Sequence, residues 1–246
     1  MSLRHLSLTF ALLALIGFWG PWLASPAAGL SFNGYELSEW VTFLPATRDG
    51  TLAFAYWRFP FGGDIYFARL AFFVPFGLVA WSLCLAIARS PASVWIIPPG
   101  APTLVNTPNA ALLTRPRSRG ALLIALTLGL AGALVIVPSY SDIRAALIDP
   151  ELASQLAWQL AWAGLVALGS VVMLILPAWA QDLWQSGCGF IGLGLTLWAM
   201  NALMPIAHEL LNAAWPIGWG LIVYLLGLGG LSLVGLRQLF APAAQT

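Results

Sequence analysis

The chain has 246 residues, 60% of them hydrophobic and only 8% charged, with a formal net charge of +1. Soluble domains carry about a quarter charged residues, so the composition excludes an ordinary soluble domain, and so small a net charge excludes an electrostatic nucleic-acid binder. The apolar residues come in blocks near the roughly 20 that a helix needs to cross about 30 Å of hydrocarbon. These features predict an all-α fold: one integral membrane domain built as a polytopic helical bundle of about six spans, at about 6–24, 65–88, 120–137, 153–177, 187–207 and 216–236.

The first run begins after Arg4 and His5, and Ser25-Pro26-Ala27 loosely resembles a signal-peptide cleavage site. The run is longer than a signal core and ends in Trp19-Gly20-Pro21-Trp22, which reads as an interfacial anchor, so it is expected to stay as a helix.

An outer loop, 25–64, follows, and it holds the segment FNGYELSEWVTFLP. Asn33 with Glu36 three residues later is a capping-box-like pair. Asn33-Gly34 is also a hairpin dipeptide, but no alternating strands flank it. Leu37, Trp40, Val41 and Leu44 recur at helical spacing, with Glu36 and Glu39 expected to point away and Pro45 to close the helix. A helix of about 11 residues is far too short to span. It is expected as an amphipathic interfacial helix on the outer surface, serving as a lid over the bundle or a docking face.

The inner loop after the second span, 89–119, carries Pro91, Pro98, Pro99, Pro102, Pro108 and Pro116, which block helix and sheet and predict an extended strap. Val94 to Ile97 are expected to dip into the interface. Before the fourth span, Asp149-Pro150-Glu151 is a helix start: an N-cap, a proline at the first helical position and an acid in the first turn. Gln155 and Gln159 stand one turn apart within that span, placed to hydrogen-bond across helices.

The fifth span opens on Gly187-Cys188-Gly189-Phe190-Ile191-Gly192, a GxGxxG match. A dinucleotide site needs a strand before those glycines and a soluble βαβ unit, so close helix packing is the better reading. His208-Glu209 begins an HExxH pattern, but Asn212 stands where the second histidine belongs. Asn201, His208 and Asn212 share one helical face, with Glu209 beside them and Pro205 positioned to kink the helix. Together with Gln155 and Gln159 they form the candidate polar patch. The sixth span carries Gly218, Gly220, Gly227, Gly229, Gly230 and Gly235, which permit close backbone contact.

With the N-terminus inside, Arg4, Arg89, Arg115, Arg117, Arg119 and Arg237 fall on the inner side and Arg48, Arg58, Arg69 and Arg144 on the outer. The positive-inside rule then places both termini in the cytoplasm, in a membrane read as the bacterial cytoplasmic one. No acidic or basic residue lies deep in a span; Asp64, Arg69 and Asp182 sit at the edges. Cys84 and Cys188 both fall in apolar runs, with no CxxC.

The sequence therefore points to no catalytic, metal or cofactor site. It predicts a non-catalytic accessory or scaffold subunit whose partners are the bilayer and other membrane subunits. Two alternatives keep a chemistry: a small transporter or channel with a cavity along Asn201, Gln155 and Gln159, or a membrane enzyme using His208 and Glu209 as an acid–base pair.

Overall fold

A computed structural model describes residues 3–25, 30–43, 69–88, 119–211 and 216–240. The Pro-rich inner loop, most of the outer loop, Leu44 and Asn212 lie outside the described residues, as do the side chains of Val41, Gln155 and Glu209. The described chain is almost entirely helical, in the order α1 (Leu3–Trp19), β1 (Leu23–Ser25), β2 (Leu30–Phe32), α2 (Gly34–Phe43), α3 (Leu70–Ala88), α4 (Arg119–Ile136), α5 (Tyr140–Ala146), α6 (Pro150–Ile175), α7 (Ala178–Leu211) and α8 (Trp219–Phe240).

Four of these, α3, α6, α7 and α8, are long and apolar enough to cross a membrane. A fifth crossing exists if α4 and α5, bent by 48° at their junction, are one broken span. The bend has a plain cause. Pro138 cannot donate the next helical hydrogen bond, and Ser139 restarts the chain by capping α5. α1 is apolar but shorter.

α3 is the hub. It is buried along nearly its whole length and packs against α1, α4, α6 and α7. α1 lies along α8, where the glycines matter individually. A Cβ on Gly17 would stand 2.7 Å from the Tyr224 Cα and 2.8 Å from the Gly220 carbonyl oxygen. One on Gly227 would stand 2.7 Å from the Ala14 Cβ and 2.8 Å from its Cα. The two helices therefore touch backbone to backbone, as small residues permit.

The α3–α6 seam is held differently. Trp162 of α6 donates its indole N–H to the Phe73 carbonyl of α3 (2.9 Å), and Trp81 of α3 donates to the Val166 carbonyl of α6 (2.8 Å). The two indoles also meet edge to face at 5.4 Å.

Three sequence expectations change. The chain is not strictly all-α: β1 and β2 pair antiparallel, and Leu23 also bridges to Ile217. Segments of three residues carry no readable period, which is why the pair is invisible in the sequence. Trp22 is no surface anchor. It is 1% exposed, donates its indole N–H to the Gly17 carbonyl, and sits among Phe18, Phe72 and Tyr224. Finally, α7 starts at Ala178, nine residues before Gly187, so the GxGxxG glycines lie inside a helix of 34 residues. The small Gly189 serves packing there: a Cβ on it would stand 2.8 Å from the Leu228 carbonyl oxygen of α8.

Candidate functional site

The bundle end that carries α2 and α5 holds an ion cluster. Asn33 starts α2 through the expected box: its side-chain oxygen accepts from the Glu36 N–H, and the Glu36 carboxylate accepts from the Asn33 N–H, both at 2.9 Å. The helix then packs against α3 and α1, with Leu37 fully buried. Trp40 stacks on Phe32 at 5.5 Å and Tyr35 meets Phe73 edge-on at 5.7 Å. Capping fixes the rotation of α2, and that rotation brings Glu39 inward. This corrects the expectation that Glu39 points away.

Glu39 meets Arg69, whose carbonyl accepts the first hydrogen bonds of α3. Arg69 is 1% exposed. Its guanidinium also donates to Asp142 of α5 at 3.2 Å. Asp142 acts twice, because it closes the capping box of α5 with Ser139 through the same oxygen, Oδ2.

A cation at a helix N-terminus is opposed by the helix dipole, and a buried one is costly unless paired. The two carboxylates answer both costs. They also leave the ionised trio with a net charge of −1. Burial pushes the Glu39 carboxyl above its ordinary value, which Arg69 partly offsets and Asp142 reinforces. Burial likewise raises the Tyr35 phenol, with Glu39 adding to it. The cluster can exchange a proton at Glu39 and can tie α2, α3 and α5 together.

The residues singled out in the sequence are distributed elsewhere. Gln159 is fully buried and donates to the Ile136 carbonyl at 2.5 Å, filling the place that the Pro138 break leaves at the end of α4. That is the interhelical bond its position implied. Asn201 and His208 do share one face of α7, and both are exposed there. Gln159 is therefore not on a common surface with them. Leu152 N–H donates to Asp149 and α6 begins at Pro150, as the Asp-Pro-Glu signal implied.

Other buried polar groups also bond to neighbouring segments. Cys84 donates to the Ala125 carbonyl, Ser186 to the Ser232 carbonyl and Gln185 to the Ser7 hydroxyl. Gln181 closes the α6–α7 turn through the Met173 and Leu176 carbonyls. Among the described residues, no three His, Cys, Asp or Glu side chains gather as a metal site requires.

The Arg69 cluster is what sequence reading missed. In the sequence Arg69 reads as a charge at the edge of a span and Glu39 as the outward face of a short helix, with nothing joining either to Asp142. The usable signal is an arginine, Arg69, placed directly before the most apolar helix of the chain.

No protein-family model, curated protein or solved structure matches the chain.

Proposed function

We propose that this chain is a non-catalytic integral membrane protein that serves as an accessory or scaffold subunit in a membrane complex. One observation carries the reading. Among the described residues, the buried polar side chains of the long helices bond singly, chiefly to backbone carbonyls of neighbouring segments or of their own helix, and the buried oxygens that have no partner, the Tyr224 hydroxyl and the Gln159 and Gln185 amide oxygens, come from three different helices. A catalytic or transport site needs convergence, because several groups must address one substrate atom or one ion.

On this reading the helices cross about six times, with α1 and the α4–α5 pair among the crossings and both termini in the cytoplasm. The three arginines before α4, Arg115, Arg117 and Arg119, support that orientation. α2 then lies at the outer interface, with Leu37 and Trp40 turned to the bundle. The ion cluster holds it there as a structural clasp.

The test is gentle detergent extraction of the tagged full-length chain, followed by identification and quantitation of what accompanies it. A different membrane polypeptide in a fixed ratio is the expected result. Recovery of this chain alone, as monomer or as homo-oligomer, overturns the accessory reading.

A further inference from the structure

α7 carries four residues at intervals of seven: Gly187, Gly194, Asn201 and His208. Seven residues are nearly two helical turns, so the four form one stripe. The bundle covers α7 with α8 and α3, and this stripe lies on the bare side. A Cβ on Gly187 or Gly194 would meet nothing within 4 Å, whereas one on Gly189, two residues from Gly187, would strike α8. Large apolar side chains flank the stripe: Leu183 is 54% exposed, Phe190 49% and Leu197 51%.

The stripe also holds an amide. Asn201 lies within the apolar stretch Trp179–Pro205, is exposed, and has no hydrogen-bond partner among the described residues. Thr127, another exposed polar residue of a long apolar helix, returns its hydroxyl to the Leu123 carbonyl of its own helix. An Asn side chain cannot be satisfied so cheaply, since it brings two donors and an acceptor. In hydrocarbon each unmet polar group is costly.

We propose that this stripe is a homodimer interface, in which α7 of a second copy packs parallel to it with Asn201 against Asn201. The inference rests on the membrane reading above. Identical chains insert in one orientation, so a two-fold axis between them runs along the membrane normal. Every residue on the stripe then meets its own copy at its own depth. That geometry demands self-complementary residues. The stripe supplies them: glycine against glycine for close backbone approach, and a carboxamide that both donates and accepts against another. A single asparagine at the repeating central position of a helix pair fixes register and partner number in the same way. A second copy provides the matching amide by symmetry, whereas an unrelated helix would have to carry one at the same depth.

The full chain is first reconstituted in phosphatidylcholine–phosphatidylglycerol vesicles and washed at alkaline pH. Release from the vesicles overturns the membrane reading itself. With the protein retained, Gly194→Cys is oxidised and compared with Leu226→Cys, a residue 63% exposed on α8. The expected result is a disulfide-linked dimer from the α7 variant and little from the α8 variant. Adding Asn201→Leu to the α7 variant is expected to lower its cross-linking about tenfold while leaving the melting temperature unchanged, since the interhelical amide bond is lost and no intrachain contact is. Equal cross-linking from both helices, none from α7, or no effect of Asn201→Leu overturns the proposal. So does a cross-link of Gly194→Cys in native membranes to a polypeptide of a different mass.

Discussion

The α1–α8 seam and the Arg69 cluster solve the same problem with opposite means. Along α1 and α8 the side chains have been removed, and glycines let two backbones meet. At the α2–α3–α5 junction three charged side chains are enclosed, and their mutual pairing joins three segments. The first contact depends on shape alone and tolerates no added atom. The second depends on balance: a buried ion pair contributes little net stability, yet removing one partner strands the other charge. Small residues therefore make the firmer seam, and charges make the more specific joint.

The largest expected effect comes from filling the seam. Gly227→Leu would drive side-chain atoms into the Ala14 backbone, which cannot yield as a flexible side chain can. It is expected to abolish the monodisperse species in fluorescence-detected size-exclusion chromatography. Gly187→Leu, where the space is open, should stay within about 0.5 kcal/mol of the parent in monomer stability. Equal damage from both would mean that the α1–α8 contact is not backbone to backbone.

Next comes the cluster. Arg69→Ala leaves Glu39 and Asp142 facing each other without a cation, at a cost of roughly 3–5 kcal/mol in detergent unfolding. The triple change Arg69→Met, Glu39→Gln, Asp142→Asn removes the charges together and should recover most of that loss. A triple variant no better than Arg69→Ala would mean the three residues do not act as a balanced group.

A smaller effect tests the α3–α6 seam, which lies between the two extremes. Trp81→Phe and Trp162→Phe each delete one interhelical hydrogen bond and should cost about 1 kcal/mol. Because the rings touch, the double variant is expected to deviate from additivity in a double-mutant cycle.

The smallest effect is the pH dependence of Glu39. Its carboxyl is raised in the folded chain, so the folded state binds the proton more tightly than the unfolded state does. The linked stability is fully present below the ordinary carboxylate value and is lost as pH rises through the raised one. Glu39→Gln should remove that downward slope from the stability–pH curve of the parent. An unchanged slope would place the titration elsewhere.

Elements with long-range periodicity or strong local chemistry were legible in the sequence. The long apolar runs became helices, Asn33 with Glu36 made its box, and Asp149-Pro150 opened α6. Features that need a partner distant in sequence were not. Glu39 and Arg69 are thirty residues apart and Arg69 and Asp142 seventy-three, with nothing local to each to announce the other. Trp22 reads as an interfacial tryptophan because Trp19-Gly20-Pro21-Trp22 closes the first apolar run, yet the turn after α1 folds it back into the core. The α7 stripe lay between these cases. The seven-residue spacing of Asn201 and His208 was readable, but which glycines continued it on the exposed side depended on where α8 lies.

The account holds that the chain's polar chemistry is spent on packing and that its role is to assemble. Native mass spectrometry of the full-length chain, released from lipid nanodiscs formed directly from its membrane, measures that assembly. The account predicts a complex in which this 26.3 kDa chain stands in a fixed ratio to a different polypeptide. A spectrum containing this chain alone would contradict it.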